Sequence, residues 1–266
     1  MLKTILHQSL PLSYKVEGKG LPVMLLHGFA EDSIVWDGQV TDLRARYQLI
    51  IPDLPGSGPS APLPGATTLE ELADLIKAIL VAEGVEQTVL IGHSMGGYIT
   101  LAFAEKYPDR LKAFGLFHST AYADSDEKKS GRQKSIEFIR RNGAAAYIRQ
   151  STPNLFADST RKQQPELMAS LIDRYAGFNP EVLAAYQQAM ILRPDRTPVL
   201  QQSTVPVLFI FGQQDALLPL DASLRQSHMP RLAHIHLLEN SGHMGMLEDS
   251  GRSNRILDDF LQSLPF

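Results

Sequence analysis

A serine flanked by glycines, Gly92-His93-Ser94-Met95-Gly96-Gly97, follows the apolar run Thr88–Ile91 and opens the helical stretch Gly96–Tyr107, which Pro108 stops. Glycines without Cβ atoms let the chain bend sharply there, lifting the hydroxyl of Ser94 beside the positive end of the helix. A serine hydroxyl attacks a carbonyl only when a base removes its proton, and histidine titrates nearest to working pH. Of eight histidines, His27 and His93 lie inside turns, His7, His234 and His236 in strand-like runs, His118 at the end of a strand, and His228 near a helix end. His243 alone sits in a short polar loop, Asn240-Ser241-Gly242-His243, after the last strand, and is the expected base. The carboxylate that orients the imidazole is expected to be Asp215, reached from Val207–Phe211 through Gly212-Gln213-Gln214. Asp215 also suits the N-cap of a helix beginning at Ala216. Glu239 lies too close along the chain to His243, and Asp124 follows a strand whose end is already polar. A tetrahedral oxyanion needs two donors. The backbone N–H groups of Met95, after the nucleophile, and Phe29, in the loop His27-Gly28-Phe29-Ala30, are the candidates.

These residues must be held by a sheet. Pro22–Leu26 is continuously apolar, as are Tyr47–Ile51, Thr88–Ile91, Ala113–Phe117 and Val205–Phe211, with a weaker run at His234–Leu238. Such runs suit parallel strands covered on both faces. Leu2–His7 and Leu12–Val16 read as two further short strands ahead of the glycine-rich reversal Glu17-Gly18-Lys19-Gly20. Between them lie helical patterns. Leu72, Leu75, Ile76, Ile79 and Leu80 share one face, Thr68 and Glu71 form a capping box, and Gly84 stands at the helix end. The segment Asn254–Leu264 is a further helix. Strands alternating with helices predict βαβ units and an α/β fold.

The alternation breaks between Ser119 and Gln202, where polar content rises and helical spacing takes over. Leu167, Leu171 and Tyr175 form one stripe, Val182, Tyr186 and Met190 another, and Asn179-Pro180 supplies an N-cap and first turn. An insertion of roughly 80 residues far exceeds a loop. Residues 1–118 and 203–266 are therefore expected to form the core, and 119–202 a helical cap over the sheet edge.

The chain has 266 residues, 44% of them hydrophobic, the balance of an ordinary globular protein. With 25 basic and 29 acidic side chains its net charge is −4, which argues against a nucleic-acid partner. The absence of cysteine removes disulfides and thiolate chemistry. No run reaches the ~18 apolar residues of a membrane span. The N-terminal segment lacks a signal-peptide pattern, so a cytoplasmic location is expected.

Taken in order, His27-Gly28-Phe29, Asp53-Leu54-Pro55-Gly56-Ser57-Gly58, Gly92-His93-Ser94-Met95-Gly96, Gly212-Gln213-Gln214-Asp215 and Gly242-His243 resemble the α/β-hydrolase fold superfamily. The resemblance is to its serine-nucleophile branch with a helical cap. It implies a mostly parallel eight-stranded sheet flanked by helices. It also implies hydrolysis of small to medium hydrophobic esters through an acyl-enzyme on Ser94, His243 and Asp215. No metal or organic cofactor is expected, and the implied partner is a small-molecule ester, bound by a monomer or homodimer. Serine at position 94 disfavours the dehalogenase and epoxide-hydrolase branches, which use aspartate. The expected substrate contacts are His118, Tyr122, Met190, Arg193, Leu218 and Met244, with Phe138, Tyr147 and Phe156 of the insertion as further apolar or cap-core positions. Arg193 has two readings, an anion-orienting residue or a structural partner of a carboxylate. The first resembles carbon–carbon bond hydrolases of vinylogous diketones, although that group usually has an aromatic residue where this chain has Met244. A slow or non-catalytic ligand receptor is the remaining alternative on this fold.

Overall fold

The computed structural model describes residues 1–7, 10–63, 65 and 67–265. Eight strands form one sheet: β1 (Leu2–His7), β2 (Leu10–Glu17), β3 (Leu21–Leu26), β4 (Tyr47–Pro52), β5 (Thr88–His93), β6 (Leu111–Phe117), β7 (Val207–Gly212) and β8 (Ala233–Leu238). Their order is β1-β2-β4-β3-β5-β6-β7-β8. Only β2 runs against the others, pairing antiparallel with both β1 and β4. From β4 to β8 every pairing is parallel.

The apolar runs are continuous because both faces of the sheet are covered. In β5, Val89 and Ile91 pack on one side with Trp36, Leu43, Leu257 and Phe260, while Leu90 packs on the other with Leu72, Ile76, Ile99 and Phe103. Strand β7 divides in the same way: Leu208 and Ile210 face the first layer, Phe209 and Phe211 the second. The layers are the helices Asp37–Leu43 and Ser250–Ser263 on one face, and Leu69–Ala82 and Met95–Lys106 on the other. The Thr68–Glu71 capping box forms as expected at the start of Leu69–Ala82. By contrast β1, at the sheet margin, alternates exposed and half-buried residues.

Element boundaries differ from the sequence reading where pairing or the turn decides them. Strand β5 continues past Ile91 to His93 because Gly92 and His93 still pair with Leu116 and Phe117 of β6. The following helix starts at Met95, directly after the serine, rather than at Gly96. The last helix begins four residues earlier than Asn254, at Ser250, where the Asp249 side chain caps it.

Between β6 and β7 the chain is helical: Asp126–Asn142, Ala144–Ser151, Asp158–Gln163, Pro165–Tyr175, Pro180–Leu192 and Thr197–Gln201. Asn179 caps Pro180–Leu192 through a hydrogen bond from the Glu181 N–H to its side-chain oxygen. That helix packs along Asp126–Asn142, with Leu183 and Ile139 fully buried. Among the described residues no helix is long and apolar enough to cross a membrane.

Candidate active site

The turn between β5 and the helix Met95–Lys106 holds Ser94 at φ 50° and ψ −114°, a conformation that costs a non-glycine residue about 1–3 kcal/mol. Its neighbours pin it. The Ser94 N–H donates to the Phe117 carbonyl (2.9 Å), and the Ser119 hydroxyl donates to the Ser94 carbonyl (2.7 Å). Glycine at position 92 is forced by proximity, since a Cβ there would lie 2.2 Å from the Gly96 oxygen. At Gly96 a Cβ would lie 2.6 Å from the Leu26 oxygen. Gly92→Ala is therefore expected to destabilise the fold by about 3 kcal/mol, measured as a lowered urea midpoint at unchanged slope.

Facing the serine, His243 is fixed by three segments of chain. Its N–H donates to the Leu155 carbonyl (2.7 Å), and its own carbonyl accepts from His93 Nε2 (2.9 Å). The Glu248 carboxylate takes the N–H groups of Gly242 (2.8 Å) and Met244 (3.2 Å), and also that of Ala157 (2.8 Å). The imidazole thus lies with Nε2 2.9 Å from Ser94 Oγ and Nδ1 2.7 Å from Asp215 Oδ2. No helix begins at Ala216, the next starting at Leu220, and Asp215 instead caps a turn with one oxygen and faces His243 with the other. Oδ1 accepts from the N–H groups of Leu217 (2.9 Å) and Leu218 (3.0 Å), capping the turn, and Oδ2 faces His243.

Burial pulls the His243 imidazole down, but the charge and hydrogen bond of Asp215 outweigh it and leave the ring above its usual 6.5. Burial likewise pushes Asp215 up, and the two histidines beside it reverse this, holding the carboxyl far below the ordinary range. His118, at φ 46°, places Nδ1 3.5 Å from Asp215 Oδ2 without forming a hydrogen bond, while its Nε2 accepts from the Gly245 N–H (3.3 Å). Burial brings this imidazole down to about 4, partly opposed by Asp215, so it is neutral near pH 7. His118, Asp215 and His243 are also the one grouping among the described residues with ligand atoms close enough to share a metal ion. A metal there would have to break the Asp215–His243 bond.

Among the described residues neither the Phe29 nor the Met95 N–H has a protein partner, which leaves both donors available beside the serine. Ser94 and His243 open onto a cavity of about 430 Å³. Phe29, Met190, Leu218 and Met244 line it, together with Tyr147. His118, Tyr122 and Arg193, expected against the substrate, do not. His118 is buried behind Asp215, and Tyr122 lends its carbonyl to Arg193. Arg193 gives its Nη donors to that carbonyl, the Met190 carbonyl (3.0 Å) and Asp124 Oδ1 (2.8 Å), with its guanidinium 4.0 Å above the Tyr98 ring and its Nε buried without a partner among the described residues. Of its two readings, the geometry matches the structural one.

A family model described as alpha/beta hydrolase fold matches residues 22–250. The chain belongs to the alpha/beta hydrolase fold family. This alpha/beta hydrolase is similar to a thermophilic esterase from Thermogutta terrifontis, 31% identical, with 98% of each chain covered and a TM-score of 0.93. An enol-lactonase from Burkholderia xenovorans shares the fold at 22% identity and TM-score 0.91, covering 98% of this chain and 100% of that one. A 2-hydroxy-6-oxononadienedioate/2-hydroxy-6-oxononatrienedioate hydrolase from Paraburkholderia phymatum is 26% identical over 264 residues, 95% of this chain and 91% of its own. The chain is an enzyme of the hydrolase class.

The site also contains residues that the sequence did not single out for it. Glu31, fully buried, accepts from the Gly28 N–H (2.6 Å) and lies 3.0 Å from His93 Nδ1. It thereby joins the Phe29 loop to His93, which in turn holds the His243 carbonyl. Burial pushes Glu31 up, and His93 beside it more than cancels this. The three segments are far apart in sequence, and no local pattern announces their meeting. Arg132 and Gln187, which line the cavity from the helices above it, were equally silent.

Proposed function

We propose that this alpha/beta hydrolase is a serine esterase acting on small to medium carboxylic esters through an acyl-enzyme. The observation that carries the reading is the unbroken chain Ser94 Oγ–His243 Nε2 (2.9 Å) and His243 Nδ1–Asp215 Oδ2 (2.7 Å), set on the strained corner after β5. Ser94 attacks the carbonyl while His243 takes its proton. Asp215 holds the proton on Nδ1 and balances the imidazolium that forms. The N–H groups of Phe29 and Met95 receive the oxyanion. His243 then protonates the departing alcohol, and a water repeats the cycle on the acyl group. Residues 119–202 act as a cap that closes the cavity over the serine. The cavity, with its Phe29, Leu218 and Met244 walls, suits an apolar acyl or alcohol portion. Likeness to the Thermogutta esterase supports ester cleavage.

Stoichiometric labelling of Ser94 by a fluorophosphonate, located by mass spectrometry, together with turnover of 4-nitrophenyl butyrate, tests the reading. An intact protein that takes up no label and hydrolyses no more ester than its Ser94→Ala variant is a receptor rather than an esterase. Because the Phe29 contribution to the oxyanion is its backbone N–H, Phe29→Ala is expected to lower kcat by less than about tenfold. Loss of a donor itself would cost about a hundredfold to a thousandfold. Steady-state kinetics on 4-nitrophenyl butyrate distinguish the two.

A further inference from the structure

The helix Asp126–Asn142 turns Lys128, Gly131, Arg132 and Ser135 toward the cavity that holds Ser94, one face at helical spacing. Gly131 has no packing reason to be there, since a Cβ on it would meet nothing within 4 Å. A glycine in a helix interior costs helix stability. The charges around Arg132 do not balance. Asp124 is a single carboxylate shared by two arginines, Oδ1 with Arg193 (2.8 Å) and Oδ2 with Arg132 Nε (2.6 Å). Arg193 is buried and turned to carbonyl groups. Arg132 is different. Its Nη1 donates to Gln187 Oε1 (3.1 Å), whose amide donates to the Tyr147 hydroxyl (3.1 Å), and its Nη2 has no protein partner among the described residues. Its side chain keeps 21% exposure. Of the other charged groups lining the cavity, Glu31 is tied to His93 and Gly28. Lys128 reaches the Leu217 carbonyl at 3.3 Å.

An arginine fixed by two neighbours, with donors left over and a net positive surrounding, is built to receive a planar anion. We propose that Arg132 is a carboxylate-binding residue, and that the substrate class is esters carrying a free carboxylate, such as half-esters of short dicarboxylic acids. Asp124 and Gln187 hold the guanidinium in place, and Lys128 adds a second positive charge. The assignment rests on the ester-hydrolase reading of Ser94 and deepens it by naming what the cavity selects.

The monoethyl esters of glutaric and adipic acid, compared with ethyl pentanoate by pH-stat titration, provide the test. The wild-type protein is expected to have the higher kcat/KM on at least one half-ester. Arg132→Gln should lower the ratio of half-ester to neutral-ester kcat/KM by about tenfold or more, chiefly through KM. Arg132→Lys should recover part of that ratio, and Arg141→Gln, on the exposed side of the same helix, should leave it unchanged. Wild-type indifference to the carboxylate, or equal losses on both ester types in Arg132→Gln, would overturn the proposal, the latter making Arg132 a brace. Calorimetric binding of monoethyl adipate to Ser94→Ala and to Ser94→Ala/Arg132→Gln separates this from the catalytic reading. Weaker binding to the double variant, with no turnover by the wild type, upholds the carboxylate site and rejects the esterase. Equal binding rejects the carboxylate site whatever the turnover.

Discussion

Alanine at position 94 is expected to lower kcat for 4-nitrophenyl butyrate by about ten-thousandfold to a millionfold and to abolish fluorophosphonate incorporation. The size follows from what the hydroxyl does in the proposed mechanism. Without it no acyl-enzyme forms, and His243 retains only the ability to activate a water in an oxyanion site that was shaped for another nucleophile. Those remaining groups still give rates above solution, so the loss is large but finite. The fold should tolerate the change. Ser94 Oγ bonds only to the imidazole, and the backbone contacts to Phe117 and Ser119 that hold the corner do not involve the side chain. Unchanged thermal unfolding alongside lost turnover is the expected pairing. Turnover equal to wild type would remove Ser94 from the mechanism.

Asp215→Asn is expected to lower kcat/KM by about ten-thousandfold with the geometry nearly intact, and to move the acid limb of the pH profile. The direction comes from the hydrogen bonds. Leu217 and Leu218 both donate to one side-chain oxygen, so an asparagine keeps its carbonyl there and turns its NH2 toward His243. Nδ1 must then accept, which puts the ring proton on Nε2, where the Ser94 proton has to go. In the wild type His243 works as the neutral base and its imidazole titrates above 6.5, because Asp215 more than offsets burial. Activity is thus present above that raised midpoint and disappears as pH falls through it. Removing the carboxylate leaves burial as the main influence, so the residual activity of Asp215→Asn should persist to lower pH than that of the wild type. A kcat/KM profile for the variant with the wild-type acid midpoint would show that Asp215 does not set the imidazole's titration.

Much of the molecule was legible because its signals are local. Glycines at 92 and 96 mark a corner where a Cβ meets backbone, and Thr68 with Glu71 marks a helix start that forms within four residues. The apolar runs identify buried strands, since a strand covered on both faces needs both of its sides apolar. Charge pairing was not legible. Arg193 had two readings in sequence, and only Asp124, 69 residues away, together with the Tyr98 ring decides for the structural one. His93 reads as a turn residue until Glu31 and the His243 carbonyl are seen at its two nitrogens.

From its sequence alone this protein announces an α/β hydrolase, with the residue types of a nucleophile, an acid and a base in chain order. Those features depend on backbone geometry and periodicity, which neighbouring residues control. What only the tertiary structure decided is which side chains face the cavity and which charges remain unspent. Such outcomes depend on segments brought together from distant parts of the chain: Asp124 bonds both arginines, but the Tyr122 and Met190 carbonyls occupy Arg193 and leave Arg132 the more open of the two.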